Sequence, residues 1–221
     1  MPVVSRTFIV KSRRILHDPD LASVIVRLSM AMNDIGMAND GLNEWTTTLR
    51  NPKKKARQNG GRLYYGRMLM SHVFEALDII KEIRSNSKLM AAVRASDPQT
   101  RASFDAAAKF LSSPDFGLLA QIRNSASFHY DKKRARNEIK KIAAKYPEHE
   151  SVYSMGVDPL DWYFEIGDLV NDRIVVREIF AVPESVVDVR SAIDPILERM
   201  HRMAAAFSDF AGNFIRFHLK R

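Results

Sequence analysis

The chain has 221 residues, of which 46% are hydrophobic and 27% charged, a composition typical of a soluble globular protein with one substantial core. It contains no cysteine, which excludes disulfide bonds and thiolate metal sites and fits a reducing compartment. The formal net charge of +8 favours polyanionic partners, of which nucleic acid is the first candidate. Because residues 1–6 lack a secretory-signal pattern and no apolar run is long enough to span a bilayer, a cytoplasmic protein with no membrane segment is expected.

Helical periodicity dominates the chain up to Pro147. Apolar residues recur at helical spacing after Asp18-Pro19, which predicts a long helix that continues through Trp45 to Leu49. The stretch from Asn51-Pro52 to Gly60-Gly61 predicts a loop, since these dipeptides favour turns. Further helices are predicted around Leu69, Val73, Leu77 and Ile80, over residues 88–95 and 99–111, and from Ser113-Pro114-Asp115 onwards.

The pattern changes after Pro147. Residues 162–166 and 173–179 are rich in aromatic and β-branched side chains and are separated by Gly167-Asp168 and Asn171-Asp172. This predicts a β-hairpin, inserted at about residues 151–182. Pro183 is expected to end the hairpin and to permit a helix to start.

The C-terminal segment has the clearest helical periodicity, with Pro195 expected to kink its start or to separate a preceding turn. Its apolar seam consists of Ile193, Leu197, Met200, Ala204, Phe207, Ala211 and Phe214. Such a seam favours packing inside a bundle, with a dimer interface as the alternative. The prediction is a single, mainly α-helical bundle domain over residues 1–221, with a small β-hairpin before the C-terminal helix.

The central segment carries the candidate chemistry. Arg123 and Asn124 are followed by His129, so a fixed cation and a titratable imidazole lie a short step apart. Cleavage of RNA without a metal needs a base for the 2′-hydroxyl proton and a donor that neutralises charge on the phosphate. Histidine suits the first role because its pKa lies near the working pH, and arginine suits the second because its planar fork can bind two phosphate oxygens.

This Arg-x(4–6)-His arrangement, with a polar residue directly after the arginine, resembles the signature of the HEPN superfamily. The resemblance implies a helical bundle and a metal-independent endoribonuclease of the kind found in toxin–antitoxin and phage-defence systems. It implies His129 as general acid/base, Arg123 as phosphate stabiliser and Asn124 as an orienting group. It also implies RNA as substrate, a homodimer with two motifs facing one cleft, and an antitoxin or other protein partner.

A basic segment follows the motif. On a helix that continues through it, four cations would lie within about 60° of His129 and bind the RNA backbone. These candidates are Lys132, Lys133, Arg136 and Lys140. Arg123 would lie about 120° away from His129. Either its long side chain reaches round, the helix is irregular, or the partner arginine comes from a second subunit.

Three further residues are assigned supporting roles. Glu75 (or Asp78) is predicted to pair with Arg123 and fix its direction, although a solvated acidic face is the alternative. Ser127 and Tyr130 are candidate hydrogen-bond donors. None of the six histidines has a recognised metal spacing, so neither a metal nor a cofactor is predicted.

The sequence alone therefore leaves two candidate functions. The first is the endoribonuclease, which needs Arg123 and His129 exposed in a shared cleft. The second is a non-catalytic helical binding or scaffold protein that uses the basic surface or the hairpin. In that protein Arg123 bridges neighbouring helices and His129 is a packing residue.

Overall fold

The structure is a computed structural model, and it describes residues 18–46, 57–127, 131–159 and 162–219. The helices are α1 (Pro19–Thr46), α2 (Gln58–Ser85), α3 (Ser87–Arg94), α4 (Pro98–Lys109), α5 (Pro114–Ile122), α6 (Lys132–Lys145), α7 (Glu165–Arg173) and α8 (Val189–Leu219). A 3₁₀ turn covers Phe110–Ser112, and two π-helical segments cover Arg123–Ser127 and Ile174–Ile179. The strands β1 (Tyr153–Ser154) and β2 (Tyr163–Phe164) form an antiparallel pair. The predicted fold class, a mainly helical bundle with a small hairpin before the C-terminal helix, is confirmed.

The core lies between the three long helices α1, α2 and α8, with α4 and α5 packed around them. Leu28 of α1, Leu77 of α2 and Phe207 of α8 are each fully buried. Each such side chain stabilises the fold by about 1.5–3 kcal/mol relative to an exposed position. These helices therefore form the rigid frame that holds the surface features described below.

Within the described residues, α1 alone is long and apolar enough to cross a membrane by length and composition, with a mean hydropathy of 1.3 over an 18-residue window. The residues responsible include Val24, Ile25 and Leu28, which face the core. An apolar face of this kind is also what a central bundle helix requires.

The predicted loop at Gly60-Gly61 is wrong, because both glycines lie in the first turn of α2. They permit close packing rather than a turn. A Cβ on Gly60 would lie 1.8 Å from Oδ2 of Asp168, and one on Gly61 would lie 2.2 Å from the ring of Trp45. The predicted end of α1 at Leu49 and the Asn51-Pro52 step lie outside the described residues.

The hairpin has a different partner strand from the one predicted. Tyr163–Phe164 pairs with Tyr153–Ser154, whereas residues 173–179, predicted as the second strand, are helical. Ile174, Val175 and Val176 are consecutive and all buried, which a strand with one exposed face cannot achieve. A short apolar run of this kind fits a buried helical segment as well as a strand, and here packing selects the helix.

The C-terminal helix begins at Val189, six residues after Pro183, and Pro195 lies inside it. The predicted seam is buried from Met200 to Phe214, but Leu197 is exposed. Met203 and Phe210 are also fully buried, so the apolar face is wider than the narrow seam predicted. A wide face is typical of a helix packed against several neighbours in a globular bundle.

Candidate functional site

The central motif begins where α5 runs into the π-helical segment Arg123–Ser127. Helix α5 starts at Pro114, with the Ser113 side chain accepting a hydrogen bond from the backbone N–H of Asp115. It is anchored in the core by Leu119 and Ile122, both fully buried. The wider π-helical turn changes the direction in which the following side chains point, and such turns occur frequently at functional sites.

Arg123 is held by two hydrogen bonds. Its Nε donates to Oε1 of Glu75 at 2.8 Å, and its Nη1 donates to Oδ1 of Asn124 at 3.0 Å. The predicted pairing of Glu75 with Arg123 is therefore confirmed as a contact. The Arg123 side chain is 39% exposed, and its Nη2 makes no hydrogen bond to any described residue. Two of the three guanidinium nitrogens are therefore held, and among the described residues nothing prevents Nη2 from binding an anion.

A contact between two phenylalanine rings accompanies the Glu75–Arg123 pair. Phe74, beside Glu75 on α2, stacks on Phe116 of α5 with 5.1 Å between ring centroids. The contact holds the two elements that carry Glu75 and Arg123 against each other. Asp78, the alternative partner proposed for Arg123, instead lies 3.8 Å from Lys81.

The remaining motif residues are described only in part. Asn124 is exposed and its carboxamide oxygen faces Arg123, so it orients the guanidinium. His129 and Tyr130 lie outside the described residues, as does the side chain of Ser127. The structure therefore brings Glu75, Arg123 and Asn124 together, and it does not describe their relation to the histidine.

The helix does not continue unbroken through the motif into the basic segment. Asp131 has an extended backbone and caps α6, accepting hydrogen bonds from the backbone N–H groups of Lys133 and Arg134 at 2.9 and 3.0 Å. The same N–H groups, that of Arg134 first, lower the pKa of Asp131. The assumption of one continuous helix is therefore wrong, because an aspartate at this position starts a new one. The angles predicted between His129 and the cations of α6 assumed one continuous helix, so they do not apply to this structure.

The cations of α6 divide into two sets. Arg134, Lys141 and Lys145 form ion pairs with Glu178, Glu138 and Glu184. The other set consists of Lys132, Lys133, Arg136 and Lys140, which we call the cationic face. These four side chains are exposed, and none forms an ion pair with a described residue. The set that was predicted to bind RNA is therefore the set that forms no ion pair with a described carboxylate.

A large cleft lies beside the motif, with a volume of about 880 Å³. The side chains that distinguish it are six aromatic rings and three arginines, and we call it the aromatic cleft: Trp45, Tyr64, Tyr65, Trp162, Tyr163, Phe164, Arg57, Arg67 and Arg136. They come from the end of α1, the first turns of α2, helix α6 and the hairpin. Sequence reasoning missed this cleft because its walls are distant in the chain.

Glycines let the walls of the aromatic cleft pack closely. A Cβ on Gly61 would lie 2.2 Å from the Trp45 ring, and one on Gly41 would lie 2.2 Å from the Tyr65 ring. Neither ring could remain in place beside an alanine, since such approaches are far inside van der Waals contact. Gly41, at an interior position of α1, was the sequence signal for this packing, because glycine is unfavourable there without a reason.

Tyr163 is the most buried of the six aromatic residues that line the aromatic cleft, and it is 9% exposed. Burial first, and then the carboxylate of Asp168, raise the pKa of Tyr163 to about 12, so its hydroxyl stays neutral at physiological pH. The guanidinium of Arg57 lies over the same ring, 5.4 Å from its centroid. A buried ring with a cation on its face is a stable, preorganised element.

The motif and the aromatic cleft are adjacent but not the same surface. Ser125 and Asp131, on either side of residues 128–130 in the chain, both line the aromatic cleft. Arg136 lines it too, and so belongs both to the cleft and to the cationic face. Arg123 and Asn124 are not among the lining residues. The structure thus joins the cationic face to the cleft through Arg136 and leaves Arg123 outside it.

No family model, curated protein or solved structure matches this chain. Among the described residues, no group of three or more histidine, aspartate and glutamate side chains is placed to hold a metal ion. What the site offers chemically is an oriented guanidinium, the cationic face and a concave aromatic surface. These groups bind phosphates and planar rings.

Proposed function

We propose that this protein is a metal-independent endoribonuclease of the HEPN type, with Arg123 and His129 as its principal residues. The observation that carries the proposal is the geometry of Arg123. Its Nε and Nη1 are held by Glu75 and Asn124, its Nη2 makes no hydrogen bond to a described residue, and Arg123 lies six residues before His129 in the sequence of a helical bundle. A guanidinium oriented before the substrate arrives stabilises developing negative charge without reorganising.

In the proposed reaction, the imidazole of His129 takes the proton of a ribose 2′-hydroxyl. The 2′-oxygen attacks the adjacent phosphorus, and the bond to the 5′-oxygen of the next nucleotide breaks. Arg123 Nη2 binds a non-bridging phosphate oxygen as charge builds up. The leaving 5′-oxygen receives a proton from an imidazolium, and the products are a 2′,3′-cyclic phosphate and a 5′-hydroxyl.

The cationic face is proposed to hold the RNA backbone. Its four charges can contact phosphates, whereas the ion-paired set on α6 would first have to break its contacts. RNA binding that uses all four residues should weaken with salt with a slope of about −2.8 on logarithmic axes, at roughly 0.7 per phosphate for single strands. The homodimer and the antitoxin or other protein partner that the resemblance implies stay predictions, as does the cytoplasmic location expected from the sequence.

A second function, an RNA-binding protein without catalysis, is favoured by one observation. Arg123 is an ion-pair partner of Glu75 and does not line the aromatic cleft. Such a pair can also serve only to join two helices, as exposed ion pairs on bundles do.

The experiment that separates the two functions is cleavage of mixed cellular RNA in EDTA. We compare the wild-type protein with Arg123→Ala and His129→Ala. Arg27→Ala is a matched control, because Arg27 also pairs with a glutamate of α2, Glu82, and has a similarly exposed side chain. We expect the wild type and Arg27→Ala to cleave and the other two to be inactive. Intact RNA with all four proteins, combined with RNA binding, would favour the second function.

A further inference from the structure

We infer that the aromatic cleft binds unpaired bases of an RNA strand whose backbone continues onto the cationic face. This inference rests on the proposed function in one respect, that the ligand is RNA. It adds a binding site outside the Arg–His motif and a substrate class, single-stranded RNA.

The first argument is the exposure of the rings. Tyr64, Trp162 and Phe164 are 49%, 40% and 45% exposed, yet all three face one concave site. Large exposed apolar side chains gathered in a concavity mark a binding site. Bases stack on such rings, and each stacked base contributes about 1–3 kcal/mol to binding.

The second argument is that the rings are held in place before a ligand arrives. Trp162 donates from Nε1 to the carbonyl oxygen of Gly156 at 2.8 Å, which fixes the plane of its indole. Tyr64 packs edge-on against Tyr65, with 5.1 Å between centroids, and Tyr65 in turn lies against Gly41. Preorganised surfaces bind more tightly because little side-chain entropy is lost.

The third argument identifies a strand rather than a single nucleotide as the ligand. Arg136 lies at the wall of the aromatic cleft and is also a member of the cationic face. From it, the charges of Lys133 and Lys140 continue along α6 in both directions. A free nucleotide would use only the cleft, whereas a strand uses both surfaces. Bases in a duplex are already stacked and paired, so a duplex cannot present them to the cleft.

Tryptophan fluorescence reports on the site directly. The chain has two tryptophans, Trp45 and Trp162, and both line the aromatic cleft. We titrate His129→Ala, which prevents loss of the RNA, with a short single-stranded RNA of mixed sequence. Two parallel titrations use the same RNA in duplex form and a nucleoside monophosphate. We expect saturable quenching by the single strand, with weaker binding of the duplex and the monophosphate.

Variants in the same background test the rings. Tyr64→Ala and Trp162→Ala should each weaken binding of the single strand by about tenfold, as the loss of one stacked base predicts. Trp162→Phe, which keeps a ring, should stay within about threefold of the parent. Tyr146→Ala is the matched control, because Tyr146 is a 45% exposed tyrosine outside the aromatic cleft. Binding of the alanine variants is measured by anisotropy of labelled RNA, after circular dichroism has verified their helix content.

Three results would overturn the inference: no saturable binding of the strand, binding without quenching that both alanine substitutions leave unchanged, or equal affinity for the monophosphate and the strand. If the wild type cleaves RNA but substitutions in the aromatic cleft leave RNA binding unchanged, the proposed function stands and this inference fails. If the single strand quenches the fluorescence but the wild type does not cleave RNA, this inference stands and the proposed catalysis fails.

Discussion

The Nε atom of Arg123 lies 2.8 Å from Oε1 of Glu75, a residue 48 positions earlier in the chain. The contact joins the start of the π-helical segment to α2, the helix at the centre of the bundle. Because the pair is partly exposed, it contributes at most about 1 kcal/mol to the free energy of unfolding. Its main effect is on where the guanidinium points.

Glu75→Gln should therefore change activity more than stability. We expect the rate of RNA cleavage to fall by about tenfold through kcat, since a misplaced phosphate donor loses part of its transition-state contact. The melting temperature should hardly change. A full cleavage rate in Glu75→Gln would show that Arg123 needs no orientation.

The cationic face should determine how steeply RNA binding depends on salt. In the Lys132→Gln/Lys140→Gln double variant we expect the slope to fall by about 1.4, at roughly 0.7 for each phosphate that is no longer bound. Lys109→Gln, at an exposed position on α4, should leave the slope unchanged. The measurement is RNA affinity across a series of salt concentrations. An unchanged slope in the double variant would remove these two lysines from the interface.

Two glycines of α2 should respond oppositely to alanine. At Gly66 a Cβ would meet no atom within 4 Å, so Gly66→Ala should raise the free energy of unfolding by about 0.5–1 kcal/mol. At Gly61 the Cβ would overlap the Trp45 ring, so Gly61→Ala should lower stability and shift the tryptophan emission. Thermal unfolding and emission spectra check both. A stabilised Gly61→Ala variant with unchanged emission would contradict the packing of Trp45.

A buried network of ion pairs should make the free energy of unfolding depend on pH in the acidic range. Glu138 is fully buried, contacts Lys141 and accepts a hydrogen bond from Arg173 at 3.2 Å. Burial alone would raise the pKa of Glu138, but its contacts with Lys141, Glu178 and Arg173 hold that pKa below its ordinary value. A carboxyl group whose pKa is lower in the folded than in the unfolded protein stabilises the fold at pH values above its unfolded pKa. This stabilisation is lost as the pH falls through the folded pKa.

Glu138→Ala should accordingly lose about 1.5–3 kcal/mol of unfolding free energy at neutral pH, because Arg173 loses a buried charged hydrogen-bond partner but keeps its pair with Glu184. The difference between the wild type and Glu138→Gln should be largest at neutral pH and shrink below about pH 4. Urea unfolding across this range measures it. Asp172, whose pKa burial raises, acts in the opposite direction and is present in both proteins, so it cancels in the comparison. A difference independent of pH would contradict the network.

The features predicted correctly depend on local chemistry or on strong periodicity. Asp18-Pro19 and Ser113-Pro114 are followed by helices because capping residues and proline act on the adjacent turn. That an acidic residue of α2 pairs with Arg123 was predictable from charge, but the choice of Glu75 over Asp78 was not, because both carry the same charge. Residues 174–179 were mispredicted because the short apolar run Ile174-Val175-Val176 carries no period, and only packing decides between helix and strand.

Features that depend on tertiary contacts could not be predicted from the sequence. Whether Arg134 and Lys145 of α6 are ion-paired depends on where Glu178 and Glu184 lie after folding, whereas Lys141 pairs with Glu138 three residues earlier on the same helix. The aromatic cleft needs Trp45, Tyr64 and Trp162 to meet, and no local pattern joins these residues. Gly60 and Gly61 were interpreted as a flexible turn because the side chains that pack on them, Asp168 and Trp45, are not their neighbours in sequence.

The most direct test of the central claim is the chemistry of the RNA ends produced by the wild-type protein in EDTA. Attack by the 2′-oxygen predicts fragments that end in 2′,3′-cyclic phosphate and begin with 5′-hydroxyl, which mass spectrometry distinguishes from other termini. We expect these ends from the wild type and none from His129→Ala or Arg123→Ala. Fragments with 3′-hydroxyl and 5′-phosphate ends, or RNA left intact by the wild type, would contradict the account.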